Sequence, residues 1–262
     1  MYKETILIVG PDSSGKSSSL LDIADKHPDS KIFMIDLENK LGKLLDGLYP
    51  DLEIEVEPCL NWDQLADAFN KAKQSLKAGD WLMIDGLDKA WDLVQADYEM
   101  KVNGITLSNR VEELRLGTSA PGIDKWGWCK TKHNKDFLDV ATGRAPFHVA
   151  ATAWAHPVDI EGVGADKDIT VRETTAMWKQ AGFKPGGEKR NTQRFDTVFA
   201  LNLKMAPVSY QIATMKDKVR PYLGNNKSSL WSSFDIEQGL WDTYVQACED
   251  VKASGGRVIL PA

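Results

Sequence analysis

Nine consecutive residues carry the strongest chemical signal in the chain. Gly10-Pro11-Asp12-Ser13-Ser14-Gly15-Lys16-Ser17 fits the spacing G-x-x-x-x-G-K-[ST] at every fixed position, and Ser18 follows. In such a loop the glycines let backbone N–H groups face phosphate oxygens, the lysine reaches the β- and γ-phosphates, and the last hydroxyl can ligate Mg²⁺. A chance match in a chain of this length is of the order of one in a hundred. Gly10, Pro11, Asp12, Ser13, Ser14, Gly15, Lys16, Ser17 and Ser18 are therefore the expected contacts to a nucleoside triphosphate such as ATP.

Four acids stand where that chemistry would need them. Asp85 ends the apolar run Trp81-Leu82-Met83-Ile84 and is the candidate carboxylate for the metal shell, with Ser17 as its partner. Asp88 is close by, as a helper or as the cap of a following helix. Glu38 lies two residues beyond Lys31-Ile32-Phe33-Met34-Ile35-Asp36, where the edge of a parallel sheet faces the same crevice, and is the candidate to orient an attacking water. Alternation points Asp36 the same way as Glu38. Late in the chain, Lys216-Asp217-Lys218 and Arg220 gather cations at a strand end, suited either to charge on a γ-phosphate or to a solvated basic turn.

The elements that must hold these residues are readable from apolar periodicity. Thr5 to Val9, Lys31 to Ile35, Trp81 to Ile84 and Phe147 to Ala153 read as strands buried on both faces. Helical patterns fill the gaps over Lys16–Lys26, Trp62–Lys77 behind the cap Asn61, and Thr131–Thr142. Leu52 to Glu57 alternates like a half-exposed edge strand. Phe195–Lys204 and Val208–Met215 read as an antiparallel pair turned near Ala206-Pro207, and a final helix is expected from about Phe234 to Ala253, capped by Ser232 or Ser233 and stopped by Gly255-Gly256. This is an α/β pattern: a mainly parallel sheet with helices on both faces and a C-terminal antiparallel extension. The expected division is a core over 1–224, containing a long loop at 155–194, and a helical extension at 225–262.

Composition bounds the rest. A hydrophobic share of 42% and a charged share of 27% exclude a disordered chain, and the net charge of −6 excludes a generally basic coat for nucleic acid. No apolar run spans a membrane, and no leader is expected. Cys59, Cys129 and Cys248 form no CxxC pair and suit a reducing cytoplasm. His133, His148 and Cys129 read as structural. Within the long loop Lys179, Lys184, Lys189, Arg190 and Arg194 accumulate, interleaved with Trp178 and Phe183. That is the composition of a groove for single-stranded DNA or of a solvated loop with its aromatics tucked in, and the acidic stretch Asp159–Asp168 opposes the first reading. Trp126 and Trp128 suit core packing.

Taken together, these residues resemble the RecA-type branch of P-loop ATPases. They resemble more closely the short phage-encoded nucleotide-binding proteins that include single-strand-annealing recombinases. The carriers are Gly10 to Ser17, Asp36-Leu37-Glu38, Ile84-Asp85, the strand Val149 to Ala153, and Met215-Lys216-Asp217-Lys218-Val219, with Asp124-Lys125-Trp126 and His133 to Leu138 adding to the phage likeness. The resemblance implies the strand order 5-1-4-3-2 and a Mg²⁺-dependent ATPase in which Glu38 activates water. It also implies homo-oligomers with active sites at subunit interfaces, where Lys216 and Lys218 act on the neighbour's γ-phosphate, and single-stranded DNA on the loops after the third and fourth strands. Recombination in the host cytoplasm is the implied setting. One departure is plain: the fourth strand, which in the family ends in a polar amide, here ends in Thr152-Ala153-Trp154, and Thr152 or His156 is the expected substitute. A nucleotide-gated assembly module without turnover, or a small-molecule kinase, remains open at this point.

Overall fold

The computed structural model describes residues 2–106, 108–109, 111, 123–158, 177–205, 207–220, 231–234 and 238–261. Strands β1 (Thr5–Gly10), β2 (Ile32–Asp36), β3 (Glu55–Pro58), β4 (Trp81–Asp85) and β5 (His148–Pro157) alternate with helices α1 (Lys16–Asp25), α2 (Leu41–Leu48), α3 (Trp62–Ser75) and α4 (Leu87–Tyr98). A further helix, α5 (Ile123–Lys130), continues through π-helical turns to Arg144, so the helix expected over Thr131–Thr142 is the end of a longer one. After it come β6 (Phe183–Pro185), the short α6 (Asn191–Arg194), β7 (Thr197–Met205), β8 (Val208–Asp217), β9 (Ser232–Phe234) and α7 (Gly239–Ala253).

Among the described residues these strands form one sheet in the order β3-β2-β4-β5-β1-β7-β8-β9, with β6 paired to the far end of β5. From β3 to β7 all pairs are parallel, and β7–β8, β8–β9 and β5–β6 are antiparallel. With β1, β2, β4, β5 and β7 counted as the first to fifth expected strands, the sheet runs β7-β1-β5-β4-β2, the expected order 5-1-4-3-2.

Period-two alternation divides the apolar residues between two cores. Leu7, Val9, Phe33, Ile35, Leu82 and Ile84 face α3 and α4, where Leu65, Phe69, Leu87 and Val94 meet them. Ile6, Ile8, Met34 and Met83 face α1 and α7, against Leu20, Ile23, Trp241 and Tyr244. Strands β1, β2 and β4 are buried along their whole length and end at one edge of the sheet in Gly10, Asp36 and Asp85. The register makes this explicit: Asp36 lies beside Asp85, and Gly10 beside Trp154.

Three expectations change. The final helix begins at Gly239, because Ser232–Phe234 is drawn into the sheet as a strand beside Tyr210–Ile212. Its N-terminal cap comes from another helix: the Asp22 carboxylate on α1 accepts the Trp241 N–H at 2.9 Å. Gly239, at φ +75°, lies so close that a Cβ there would meet Asp22 Oδ1 at 2.4 Å. Strand β5 runs past Ala153 to Pro157, because His156 and its neighbours pair with β6 beyond the main sheet. At the opposite edge β3 is shorter than the alternation of Leu52–Glu57 suggested.

The buried histidines are structural, as the sequence indicates. His148 Nδ1 accepts the Glu4 N–H at 2.9 Å and its ring stacks on Trp81, so the imidazole must be neutral on that nitrogen. Burial lowers its pKa to about 4, as it does for His133. A depressed folded-state value contributes stability that is present above pH 6.5 and lost as pH falls toward 4. Over that window the wild type should lose about 3 kcal/mol more than His148→Asn, which keeps an acceptor but cannot titrate. Urea unfolding at pH 7 and pH 4.5 measures the difference, and parallel losses in the two proteins would contradict it.

Candidate active site

The loop between β1 and α1 is shaped by backbone that few residue types tolerate. Ser13 (φ +59°) and Gly15 (φ +87°) are left-handed, which turns successive N–H groups toward one concavity ahead of α1. Gly10 is required by packing, since a Cβ there would sit 2.3 Å from Ser14 Oγ and 2.8 Å from the Leu201 carbonyl. Ser14 donates to the Pro11 carbonyl at 2.9 Å and fastens the loop internally.

Lys16 is 8% exposed and its ammonium donates to the Pro11 carbonyl at 2.7 Å. Burial lowers its pKa, against the pull of Glu38, Asp85, Asp12 and Asp88. It is a desolvated cation on a weak acceptor, ready to exchange a carbonyl for an anion. Next to it the Ser17 hydroxyl lies 3.0 and 2.9 Å from the two oxygens of Asp85. Thr152 donates to the same carboxylate at 2.6 Å and accepts the Gly86 N–H at 2.8 Å. Burial raises the Asp85 pKa to about 6, opposed by the Thr152 and Ser17 hydroxyls. Thr152, one of the two expected substitutes at the end of the fourth strand, thus acts on Asp85, while His156 is exposed on the β5 extension.

Glu38 completes the edge. Its side chain is 9% exposed, Oε1 accepts the Trp154 indole N–H, and Oε2 accepts Lys40 at 3.1 Å. Its Cγ packs against Gly86 (φ +88°), where a Cβ would come within 2.9 Å. The turn that presents Glu38 is built by Asp36, whose carboxylate accepts the N–H groups of Glu38, Asn39, Lys40 and Leu41 at 2.7–3.0 Å. Asp36 is therefore a buried organiser of the turn and does not face the crevice beside Glu38. Asp88 accepts the Trp154 backbone N–H at 3.0 Å and ties α4 to β5. The role of Trp154 escaped sequence reading; the available signal was its position at the phosphate-loop end of the fourth strand.

The late cations lie elsewhere. Thr197 pairs with both Ile6 and Asp217, so Lys216 and Lys218 stand level with the start of β1. Gly10 is four residues further along, about 13 Å at strand rise. Lys216 donates to the carbonyls of Thr192 (2.8 Å), Gln193 and Phe195, and burial lowers its pKa to about 8. Lys218 pairs with Asp196 at 2.6 Å. Neither lysine stands beside the phosphate loop of its own chain.

Arg220 is not a surface cation but a buried one. Its guanidinium forks onto the Glu4 carboxylate and donates to the Ile259 carbonyl at 2.7 Å. Arg220→Met should cost about 3–5 kcal/mol in urea unfolding, because it takes the forked guanidinium away from the buried Glu4 carboxylate, and should leave nucleotide affinity unchanged. A loss under 1 kcal/mol would remove the structural assignment.

Of the long loop, residues 159–176 lie outside the described residues, the acidic stretch with them. Lys179, Lys184, Lys189 and Arg190 are exposed. Arg194 is engaged by Asp139 at 2.6 Å and Glu188 at 3.4 Å. Trp178 and Phe183 are buried, with Trp231 against Phe183, and so offer no open stacking face. Trp126 departs the other way: it is 43% exposed and stacks on Trp91 outside the core.

Residues 3–205 match the family model of the AAA domain. The chain belongs to the AAA domain family. A phosphate loop after β1, Asp85 at the end of β4 and the parallel order β7-β1-β5-β4-β2 make this AAA domain a P-loop nucleotide-binding fold. Among solved structures the RadB recombinase is similar, at 16% identity and a TM-score of 0.45, over 88% of this chain and 87% of that one. No curated protein matches. The AAA domain match ends at Met205, so Lys216, Lys218 and α7 lie beyond it. Among the described residues no helix is long and apolar enough to cross a membrane.

Proposed function

We propose that this protein binds ATP with Mg²⁺ and hydrolyses its γ-phosphate. The observation that carries this reading is the convergence of Lys16, the Ser17–Asp85 pair and Glu38 on one sheet edge. The donor set fits Mg²⁺, a hard cation that takes oxygen ligands: Ser17 and Asp85 would hold it, and the buried Asp85 carboxylate gains a counter-charge. When bound, the metal supplies neutralisation of charge on the β- and γ-phosphates. Lys16 releases the Pro11 carbonyl and takes phosphate oxygen, while the backbone N–H groups of the loop take the rest. Glu38 orients the attacking water and accepts its proton.

Lys216 and Lys218 serve a neighbouring subunit's phosphates in a homo-oligomer, the role that the RecA-type resemblance gives them. The exposed Lys179, Lys184, Lys189 and Arg190 are the contacts to single-stranded DNA in recombination or annealing: the residues come from the cationic composition of the loop, and the DNA and its setting from the phage resemblance. What supports it is their placement around β6, which is bonded through Gly186 to Trp154 at the nucleotide site.

Steady-state phosphate release at fixed Mg²⁺, with and without a long single-stranded oligonucleotide at two salt concentrations, tests the proposal. The expected result is turnover that EDTA abolishes and the strand stimulates, less so at higher salt. Tight ATP binding without phosphate release under any condition would leave a nucleotide-gated assembly module. Turnover indifferent to the strand would remove the DNA contacts.

A further inference from the structure

Trp154 touches both the acid and the cation of the site. Its indole N–H donates to Glu38 Oε1. The same ring lies 5.1 Å from the Lys16 ammonium and 5.5 Å from that of Lys40, measured to the ring centroid. Its main chain is held on three sides: the N–H by Asp88 at 3.0 Å, the carbonyl by the Gly186 N–H at 2.8 Å, and the strand by its register with Gly10. A Cβ at Gly186 would meet the His156 ring at 2.5 Å and the Trp154 carbonyl at 3.2 Å, so a side chain there would have to displace the exposed imidazole. The backbone of Trp154 is therefore a fixed mount, and the indole is the part that reaches into the crevice.

An indole N–H is a donor only. It cannot exchange roles with water, so it holds one carboxylate oxygen in a constant sense. The other Glu38 oxygen is held by Lys40, which is 62% exposed and free to leave. Geometry decides whether a carboxylate can take a proton from a water, and a misplacement of about 1 Å costs roughly a hundredfold in rate. The ring face over Lys16 adds a cation–π contact to the group that must travel from the Pro11 carbonyl to phosphate.

We propose that Trp154 is the positioning residue of this site: its indole N–H fixes Glu38, and its ring face registers whether Lys16 is engaged by phosphate. The proposal rests on hydrolysis with Glu38 as the water-orienting group, and it assigns the positioning to a side chain at the end of β5.

Two measurements test it. In kinetics, Trp154→Phe keeps a ring over Lys16 but removes the N–H. It should lower kcat roughly tenfold with KM within about twofold, and should cost nothing further in a Glu38→Gln background, because both changes act through one group. A role confined to packing gives additive losses and raises KM, and either outcome overturns the proposal.

The second measurement does not need turnover and leaves Trp154 in place. In ¹⁵N spectra of the indole groups, the Trp154 resonance is identified by its absence in Trp154→Phe. It should shift in Glu38→Gln, and again when a non-hydrolysable ATP analogue binds, with the other indoles nearly still. A resonance indifferent to both Glu38→Gln and the analogue overturns the link even where phosphate release is normal. If the wild type releases no phosphate, hydrolysis is the reading that fails, and the indole shifts alone decide the role of Trp154.

Discussion

Lys16→Ala should weaken ATP binding by roughly a hundredfold to a thousandfold while leaving the protein folded. A lysine on phosphate makes charge-assisted hydrogen bonds of about 1.5–3 kcal/mol each, and two of them reach that range. The loop itself does not depend on this side chain. Its left-handed residues are Ser13 and Gly15, its internal tie is Ser14 to Pro11, and α1 starts with the Ser19 N–H on the Gly15 carbonyl at 2.9 Å. Burial lowers the Lys16 pKa, so holding the charged form there opposes folding, and truncation should leave the thermal midpoint of the ligand-free protein unchanged or slightly raised. Calorimetric titration with a non-hydrolysable ATP analogue gives the affinity, and a melting curve gives the control. Unchanged affinity in a folded variant would show that the phosphates bind elsewhere.

The same residues show what a sequence can and cannot disclose. Strands β1, β2 and β4 were legible because both their faces are covered, so each apolar run continues unbroken to the sheet edge that carries the site, at Gly10, Asp36 and Asp85. The loop before α1 was legible because Gly10, Gly15, Lys16 and Ser17 stand at a fixed local spacing. Asn61 announced α3 because a cap is a local bond, here from the Gln64 N–H at 2.9 Å.

What escaped depends on partners far along the chain. Arg220 meets Glu4 across 216 positions and Arg194 meets Asp139 across 55, so neither could be told from a surface cation by its neighbours. The start of α7 was missed because its cap, Asp22, belongs to another helix. Asp36 and Glu38 were read as a pair by strand alternation, which ceases to apply where the chain turns, and the turn is one that Asp36 itself makes. The link from Trp154 to Glu38 joins residues 116 apart and becomes visible only when β5 is aligned beside β1.

Glu38→Gln is the change that separates hydrolysis from binding. A positioned general base contributes about 10²–10⁴ in rate, so kcat should fall by at least roughly a hundredfold. The amide keeps the size of the side chain and an oxygen for the Trp154 indole, so the turn set by Asp36 and the packing on Gly86 are retained. Binding should move the other way. Removing one negative charge close to Lys16 and Asp85 lessens repulsion of the incoming phosphates, and ATP affinity should stay equal or rise by a few-fold. Single-turnover phosphate release and equilibrium binding of the same analogue measure the two quantities independently. If kcat stays within about threefold of wild type, Glu38 is not the group that orients water, and a carboxylate of Asp85 or Asp88 must be reconsidered. If affinity and rate fall together, Glu38 holds the loop and not the water, because a base that acts only on the attacking molecule has no reason to weaken the ground state.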